Sequence, residues 1–170
     1  MEKLGKLTPA FVKEGTVTAG NSSPLNDGAS CVMMMTEEKA KELGLKPRLK
    51  VAAYTAAAVH PAYMGLGPVP AIQKILKKTG FSLDDMDLIE LNEAFAAQSL
   101  GVVKELGFTG DHLKRLNVNG GAIALGHALG NSGSRLVISL MNEMERRDVK
   151  RGLVSLCVGG GQGMVMLLER

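Results

Sequence analysis

Two glycine-rich stretches constrain this chain more than anything else in it. Asn119-Gly-Gly-Ala-Ile-Ala-Leu-Gly-His127-Ala-Leu-Gly-Asn-Ser-Gly133 and Cys157-Val-Gly159-Gly-Gly161-Gln-Gly163 each set one reactive side chain among residues without a Cβ. Glycine adopts turns that other residues resist, and it lets backbone N–H groups approach a substrate closely. The chain's 21 glycines cluster at such motifs and form no low-complexity tract, so these stretches read as functional loops rather than linkers.

The pattern between the loops predicts an α/β fold. Residues 1–28, rich in Gly, Thr, Ser, Asn and Pro, have no period and read as an extended leading segment. The apolar run from Ala29 to Met35 predicts a buried strand, with Cys31 in the core. Thr36 is an N-cap for a helix from Glu37 to Leu43, which Gly44 ends. Leu49 to Thr55 predicts a second strand, Pro61 to Pro70 a loop, and Ala71 to Lys78 a helix closed by Gly80. After Ser82, another candidate N-cap, Leu88 to Leu91 forms a short strand, and a helix runs from Glu93 to about Leu106. Asn92 therefore sits at the carboxyl end of a strand, where open α/β sheets place ligand groups. An amphipathic helix follows from about Asn131 to Arg146, with Leu136, Val137, Leu140, Met141 and Met144 on one face. Leu153 to Cys157 and Met164 to Leu168 are strands joined by the second glycine loop as a hairpin. The expected architecture is a mixed β-sheet flanked by helices and ending in an antiparallel strand pair. Gly44 to Arg48 is the best internal boundary, dividing the chain into 1–48 and 49–170.

Composition excludes several classes. Net charge is +3 with dispersed lysines and arginines; four Phe, two Tyr and no Trp offer no stacking platform, which argues against nucleic acid. The basic cluster Arg146-Arg147-Asp-Val-Lys150-Arg151 suits the end of a helix. A small positive excess suits a phosphate-bearing ligand. Two distant cysteines make no disulfide framework, and the start of the chain has no apolar signal region, so a cytoplasmic, reducing setting is expected. No apolar run reaches the roughly 18 residues of a membrane span. The three histidines show no ligand spacing, so no metal site is expected.

Neither nucleotide reading of the glycines survives. A P-loop needs a Lys-Ser/Thr after its glycines, and a dinucleotide fingerprint opens a helix; Gly159, Gly161 and Gly163 have other spacing and precede a strand. His127 is sterically bare between Gly126 and Gly130, fit for a general base or an oxyanion donor, although a histidine satisfied by local backbone is the commoner case. His60 and His112 read as exposed loop residues. Cys157 ends an apolar strand at a glycine turn; it is either a small buried hydrophobe or a thiolate whose pKa is lowered by His127 or by backbone N–H groups. Asn92 alone could be a helix cap, and Glu93 a first-turn acid.

Asn92-Glu-Ala-Phe95, the His127 loop and the Cys157 loop together resemble, in order and spacing, the three C-terminal signatures of the thiolases. Gly15-Thr-Val-Thr-Ala-Gly-Asn-Ser-Ser-Pro-Leu-Asn-Asp-Gly28 resembles the family segment leading to its coenzyme A site, so the likeness runs from about Leu7 to Glu169. The resemblance implies acyl transfer between thioesters: two acetyl-CoA giving acetoacetyl-CoA and CoA, or thiolysis of a 3-ketoacyl-CoA. Coenzyme A thioesters would be substrates, with no further cofactor. It implies that His127 activates an acyl-accepting cysteine. Cys157 would be the acid/base on the second substrate. Asn92 would hold a water that stabilises the enolate oxygen with His127, and the Gly159 backbone would contribute to an oxyanion hole. Ser23 would touch the pantetheine, while Phe11, Met64 and Phe95 would line the pocket.

Two departures stand out. Ala128 replaces the proline that follows the family's histidine, which loosens the loop without removing a reactive group. The family's nucleophile motif, Cys-Gly-Ser-Gly, occurs nowhere in the 170 residues. The expectation is therefore the C-terminal portion of a thiolase, residues 1–48 holding the last strand and helix of an otherwise missing N-terminal domain. It would be inactive alone and would form a homo-oligomer or seek the missing half. The alternative is an inactive lobe that binds acyl-CoA or serves assembly.

Overall fold

Four apolar runs pair into one mixed sheet in the computed structural model, which describes residues 2–170. The strands are β1 (Lys50–Ala58), β2 (Leu88–Leu91), β3 (Arg151–Gly159) and β4 (Gln162–Glu169), in the order β1-β4-β3-β2. β4 runs antiparallel to both β1 and β3, while β2 and β3 are parallel. The helices are α1 (Glu37–Glu42), α2 (Pro68–Thr79), α3 (Ala96–Glu105), α4 (Gly110–Leu113), α5 (Ala122–Leu125) and α6 (Ser132–Arg147). The mixed sheet, the flanking helices and the closing hairpin match the architecture expected from the sequence.

Both faces of β2, β3 and β4 are covered, which explains their nearly continuous apolar sequence. Ile89, Leu153, Val165 and Leu167 face Ala71, Ile72 and Ile75 of α2. Their strand neighbours Leu88, Val154 and Leu168 face Leu136, Leu140 and Met144 of α6. This two-residue alternation against a helix stripe fixes the register, because a one-residue slip would exchange the two cores. At the end of α6, Arg146 and Arg147 turn back to pair with buried Glu143, whose carboxyl is held down to about 2, chiefly by Arg146.

Four local expectations need correction. Residues 29–35 form no strand; Val32, Met33, Met34 and Met35 are exposed, and so is Cys31, which is not core. An apolar run becomes a strand only where a neighbour accepts its backbone hydrogen bonds, and among the described residues none pairs with this one. The stretch from Pro61 is a 3-10 turn to Leu66, and α2 starts at Pro68, where proline's fixed φ suits the first helical turn. The helix after Asn92 begins at Ala96, not Glu93, because Ser22 bridges to the extended Phe95 while Ser23 N–H donates to Ala94 O at 3.0 Å. His112 is buried on α4, its Nδ1 accepting from Thr109 N–H at 2.9 Å and its Nε2 lying 2.9 Å from Asp84.

Candidate active site

Parallel pairing brings two of the candidate residues to one edge of the sheet. Leu91 of β2 lies opposite Ser155 of β3. Asn92 follows one residue beyond and Cys157 two, so both stand at the carboxyl ends of neighbouring strands. Asn92 N–H donates to Ser155 O at 2.9 Å, and the side chain is fully buried. Asn117 clamps the end of β2: its Oδ1 accepts from Leu91 N–H at 2.9 Å and its Nδ2 donates to Leu91 O at 2.8 Å.

His127 reaches this edge from the first glycine loop. Gly126 has φ +103°, and a Cβ there would meet Asn26 Oδ1 at 2.8 Å, so the turn into His127 requires glycine. That same Oδ1 accepts from His127 N–H at 3.0 Å, and Leu25 bridges to His127 alongside. The leading segment thus fixes the backbone of the histidine. The ring is held on both nitrogens: Nδ1 lies 2.6 Å from Ser132 Oγ at the start of α6, and Nε2 lies 3.4 Å from Asn92 Nδ2. Burial, aided by the Arg135 charge, lowers the ring's pKa, leaving a neutral imidazole at neutral pH. Asn92 Oδ1 is buried without a hydrogen-bond partner, an unspent acceptor beside the ring.

Cys157 is held differently. The β3–β4 register shifts between Cys157 and Gly159, a bulge that re-aims side chains at the strand end. The thiol is half-buried, and burial pushes its pKa up. The lowered thiolate pKa considered from sequence is therefore corrected: at neutral pH the group is a protonated thiol. Gly161 and Gly163 lie directly against the backbone of Val59 and Gly67, where a Cβ would collide. Their role is to let the 3-10 turn pack on the hairpin. Gly159 has open space around it and φ +131°, a conformation favoured by glycine.

Of the four residues expected from the resemblance to contact the substrate, Phe11 and Phe95 stack edge-on with centroids 5.9 Å apart, and Ser23 hydrogen-bonds to Ala94 next door. Met64 lies on the 3-10 turn, whose Gly65 sits over Gln98 of α3. A polar cavity of about 280 Å³ opens beside the His127 loop, lined by Asn26, Asp27, Ser30, Asn131 and Ser134 among others. Among the described residues, no three His, Cys, Asp or Glu side chains gather to hold a metal ion.

Several site residues escaped the sequence reading. Ser132 lies five residues after His127, outside the three- and four-residue spacing that brings helix neighbours together, and reads as ordinary cap chemistry. Asn117 carries no motif of its own, and Asn26 lies within the Gly15–Gly28 segment without being singled out there. Glu93 is not a first-turn acid of α3; it accepts from Asn117 Nδ2 at 3.0 Å and from Ile123 N–H at 3.3 Å, pinning the glycine loop instead. Glu90 is 2 % exposed and 3.8 Å from Arg135, whose charge also acts on the His127 ring, and burial raises the Glu90 carboxyl pKa to about 7.

Comparison with known proteins places this arrangement. Residues 45–170 match the family model "Thiolase, C-terminal domain", and residues 1–38 match "Thiolase, N-terminal domain". The acetyl-CoA acetyltransferase of Pseudomonas aeruginosa is 56% identical over 170 residues, covering 100% of this chain and 42% of the relative. A crystal structure of the Bacillus anthracis acetyl-CoA acetyltransferase superposes with a TM-score of 0.94 at 51% identity, covering 99% of this chain and 42% of that one. Human mitochondrial 3-ketoacyl-CoA thiolase in complex with CoA gives the same TM-score and coverage at 48% identity. The chain spans about two fifths of the length of these relatives.

Proposed function

From the premise that this chain belongs to the thiolase family, we propose that it supplies the acid–base part of acyl transfer between coenzyme A thioesters. The reaction is condensation of two acetyl-CoA to acetoacetyl-CoA and CoA, or thiolysis of a 3-ketoacyl-CoA. The observation that carries this reading is the contact between buried Asn92 and the His127 ring at the sheet edge where Cys157 also lies, near the end of β3. A carbanion next to a thioester carbonyl is costly, so donors must already stand where its charge develops. Neutral His127 is the base that activates the acyl-accepting cysteine and then, with a water held by Asn92, stabilises the enolate oxygen. Cys157 in its resting thiol form protonates the carbanion in cleavage; as thiolate it deprotonates the acetyl methyl in synthesis. Backbone N–H at Gly159 contributes to the second oxyanion hole. Phe11, Met64 and Phe95 line the acyl-CoA pocket, Ser23 touches the pantetheine, and no further cofactor takes part. Both cysteines are free, which suits the reducing cytoplasm.

The acyl-accepting cysteine comes from a thiolase N-terminal half. No Cys-Gly-Ser-Gly occurs in the 170 residues, and Cys31 lies exposed outside any element. This chain alone is therefore expected to be inactive. The test is acetoacetyl-CoA thiolysis by the chain alone and by the chain mixed with an N-terminal thiolase half. Turnover in the mixture only, abolished by His127→Ala, is the expected result. Substantial turnover by the chain alone would overturn its dependence on a partner half. A complex without turnover would overturn the catalytic reading.

That last outcome would leave a second reading, favoured by the bare segment around Leu25, Met33 and Met34, whose side chains are 90%, 80% and 66% exposed. Such a surface suits a lobe that binds acyl-CoA or serves assembly, as a homo-oligomer or with a partner half. Sedimentation as a monomer, with no binding of acetyl-CoA by calorimetry, would remove it.

A further inference from the structure

We infer that Ser132 is the positioning residue that sets the His127 tautomer, holding the proton on Nδ1 and leaving the Nε2 lone pair free toward Asn92. Ser132 Oγ lies 2.6 Å from His127 Nδ1 and 3.1 Å from Ala128 O. A hydroxyl has one proton, and a carbonyl can only accept. If that proton goes to Ala128 O, the serine oxygen accepts from Nδ1–H. Ala128 O also receives the N–H groups of Asn131 and Ser132, at 2.8 and 2.9 Å, so the carbonyl alone does not decide the matter.

Asn92 decides it. Its Nδ2, a donor only, lies 3.4 Å from Nε2. Were the serine proton on Nδ1, a neutral ring would carry its own proton on Nε2, and two donors would face each other. Turning the Asn92 amide over would relieve that clash by placing Oδ1 at the ring. Nδ2 would then occupy the position now held by Oδ1, which is buried and without a partner. As it stands the amide leaves one N–H and the carbonyl oxygen without a protein partner; turned over it would leave both N–H groups bare, and a buried orphan N–H is the rarer and costlier of the two. The Nδ1–H form is thus the one the surroundings favour. Neutral histidine free in water prefers Nε2–H, so the pocket must act to reverse that preference. Ser132 is placed to do so: it is 1% exposed and starts a sixteen-residue helix, so its oxygen is held by the body of the fold rather than by the glycine loop. The outcome is a base whose free lone pair points into the site.

This inference deepens the assignment of His127 as the base and rests on that assignment for its purpose, but its test does not need turnover. Ring ¹⁵N–¹H correlation spectra of the labelled chain at neutral pH read the tautomer of each of the three histidines, with His127→Gln identifying the signals. The expected pattern is Nδ1–H with a bare Nε2. In Ser132→Ala, whose helix content is checked by circular dichroism, the ring should move to Nε2–H or to a mixture; Ser132→Thr, if folded, should keep Nδ1–H. An Nε2–H ring in the unaltered chain overturns the inference whatever the variants do, and so does an Nδ1–H ring that survives Ser132→Ala. If Nδ1–H is found but the mixture with a thiolase N-terminal half shows no turnover, only the catalytic reading falls.

Discussion

His127 and Cys157 are both presented by glycine loops at one end of the sheet, yet they are held in opposite ways. The histidine is surrounded by polar partners: Ser132 and Asn92 at the ring, Asn26 at its backbone, and the charge of Arg135 acting on the ring. The cysteine sits in a bulged hairpin with burial as the main influence on its thiol. Burial moves both groups toward their neutral forms, lowering the imidazole and raising the thiol. The resting pair is therefore a proton acceptor and a proton donor, not an imidazolium beside a thiolate. A base that must point one lone pair needs directional partners, whereas an acid/base group that must reach carbon needs a small, partly dry site.

The largest effects should come from removing either group in the complex with an N-terminal half. His127→Gln and Cys157→Ala should each lower turnover by about 10²- to 10⁴-fold. In the condensation direction, where the first product is CoA, the two should differ in kind: loss of Cys157 should block deprotonation of the second acetyl methyl while the first acyl transfer persists, and loss of His127 should slow both. Pre-steady-state release of the first product distinguishes them, and equal loss of that burst in both variants would erase the contrast.

The next effect lies on the polar side. Glu90 binds its proton more tightly in the folded chain than its ordinary value of 4.5, with the carboxyl raised to about 7. Between these values the unfolded chain has already released the proton, so stability from this group falls as pH rises from about 4.5 to about 7 and is level above. The loss is on the order of 3 kcal/mol. His127, lowered when folded, acts in the opposite sense, so the difference between the original chain and Glu90→Gln isolates the carboxyl. Urea titrations across that range should show a flatter or more positive slope in the variant; an unchanged slope would mean Arg135 keeps Glu90 ionised.

How far this contrast could be read beforehand depended on whether the determining contacts were local. Asn92 was legible as a strand end because it directly follows the apolar Leu88–Leu91, and α6 because its stripe repeats at helical spacing. The start of α3 was not legible, because Ser22 and Ser23 hold Ala94 and Phe95 extended from far away in sequence. Residues 29–35 have the composition of a strand, but composition does not provide the neighbour that a strand needs. Ser132 was hidden for a geometric reason: it meets His127 across a turn, outside any regular spacing. The cysteine side was the more legible, since a glycine-bounded hairpin is built from consecutive residues, but the direction of its pKa shift depended on packing that no local pattern encodes.

On the apolar side the thiol's raised pKa sets its reactivity. Iodoacetamide reacts with the thiolate. Exposed Cys31 should be modified first at neutral pH, with half-buried Cys157 following slowly. Labelling of Cys157 should rise about tenfold per pH unit while the thiol remains mostly protonated. Peptide mapping by mass spectrometry separates the two sites. A Cys157 that labels faster than Cys31 at neutral pH would mean an activated thiolate and would make the two sides of the site alike.

The smallest effect concerns the backbone beneath the histidine. Asn26→Ala removes the acceptor of His127 N–H, one neutral hydrogen bond at the surface of the loop, and should cost about 1 kcal/mol. The Cys157 region should not notice, because its main chain is fixed by pairing with β4. Hydrogen exchange tests both statements in one experiment: protection of the His127 amide should fall about fivefold in Asn26→Ala, as expected for a 1 kcal/mol loss, while the amides of β3 keep theirs. If the His127 amide retains its protection, α5 and α6 position the loop without the leading segment. Residues 25–26 would then be a covering strap rather than part of the site. If protection falls in β3 as well, loop and hairpin open as one unit, and the two reactive groups, however differently held, share a single mechanical support.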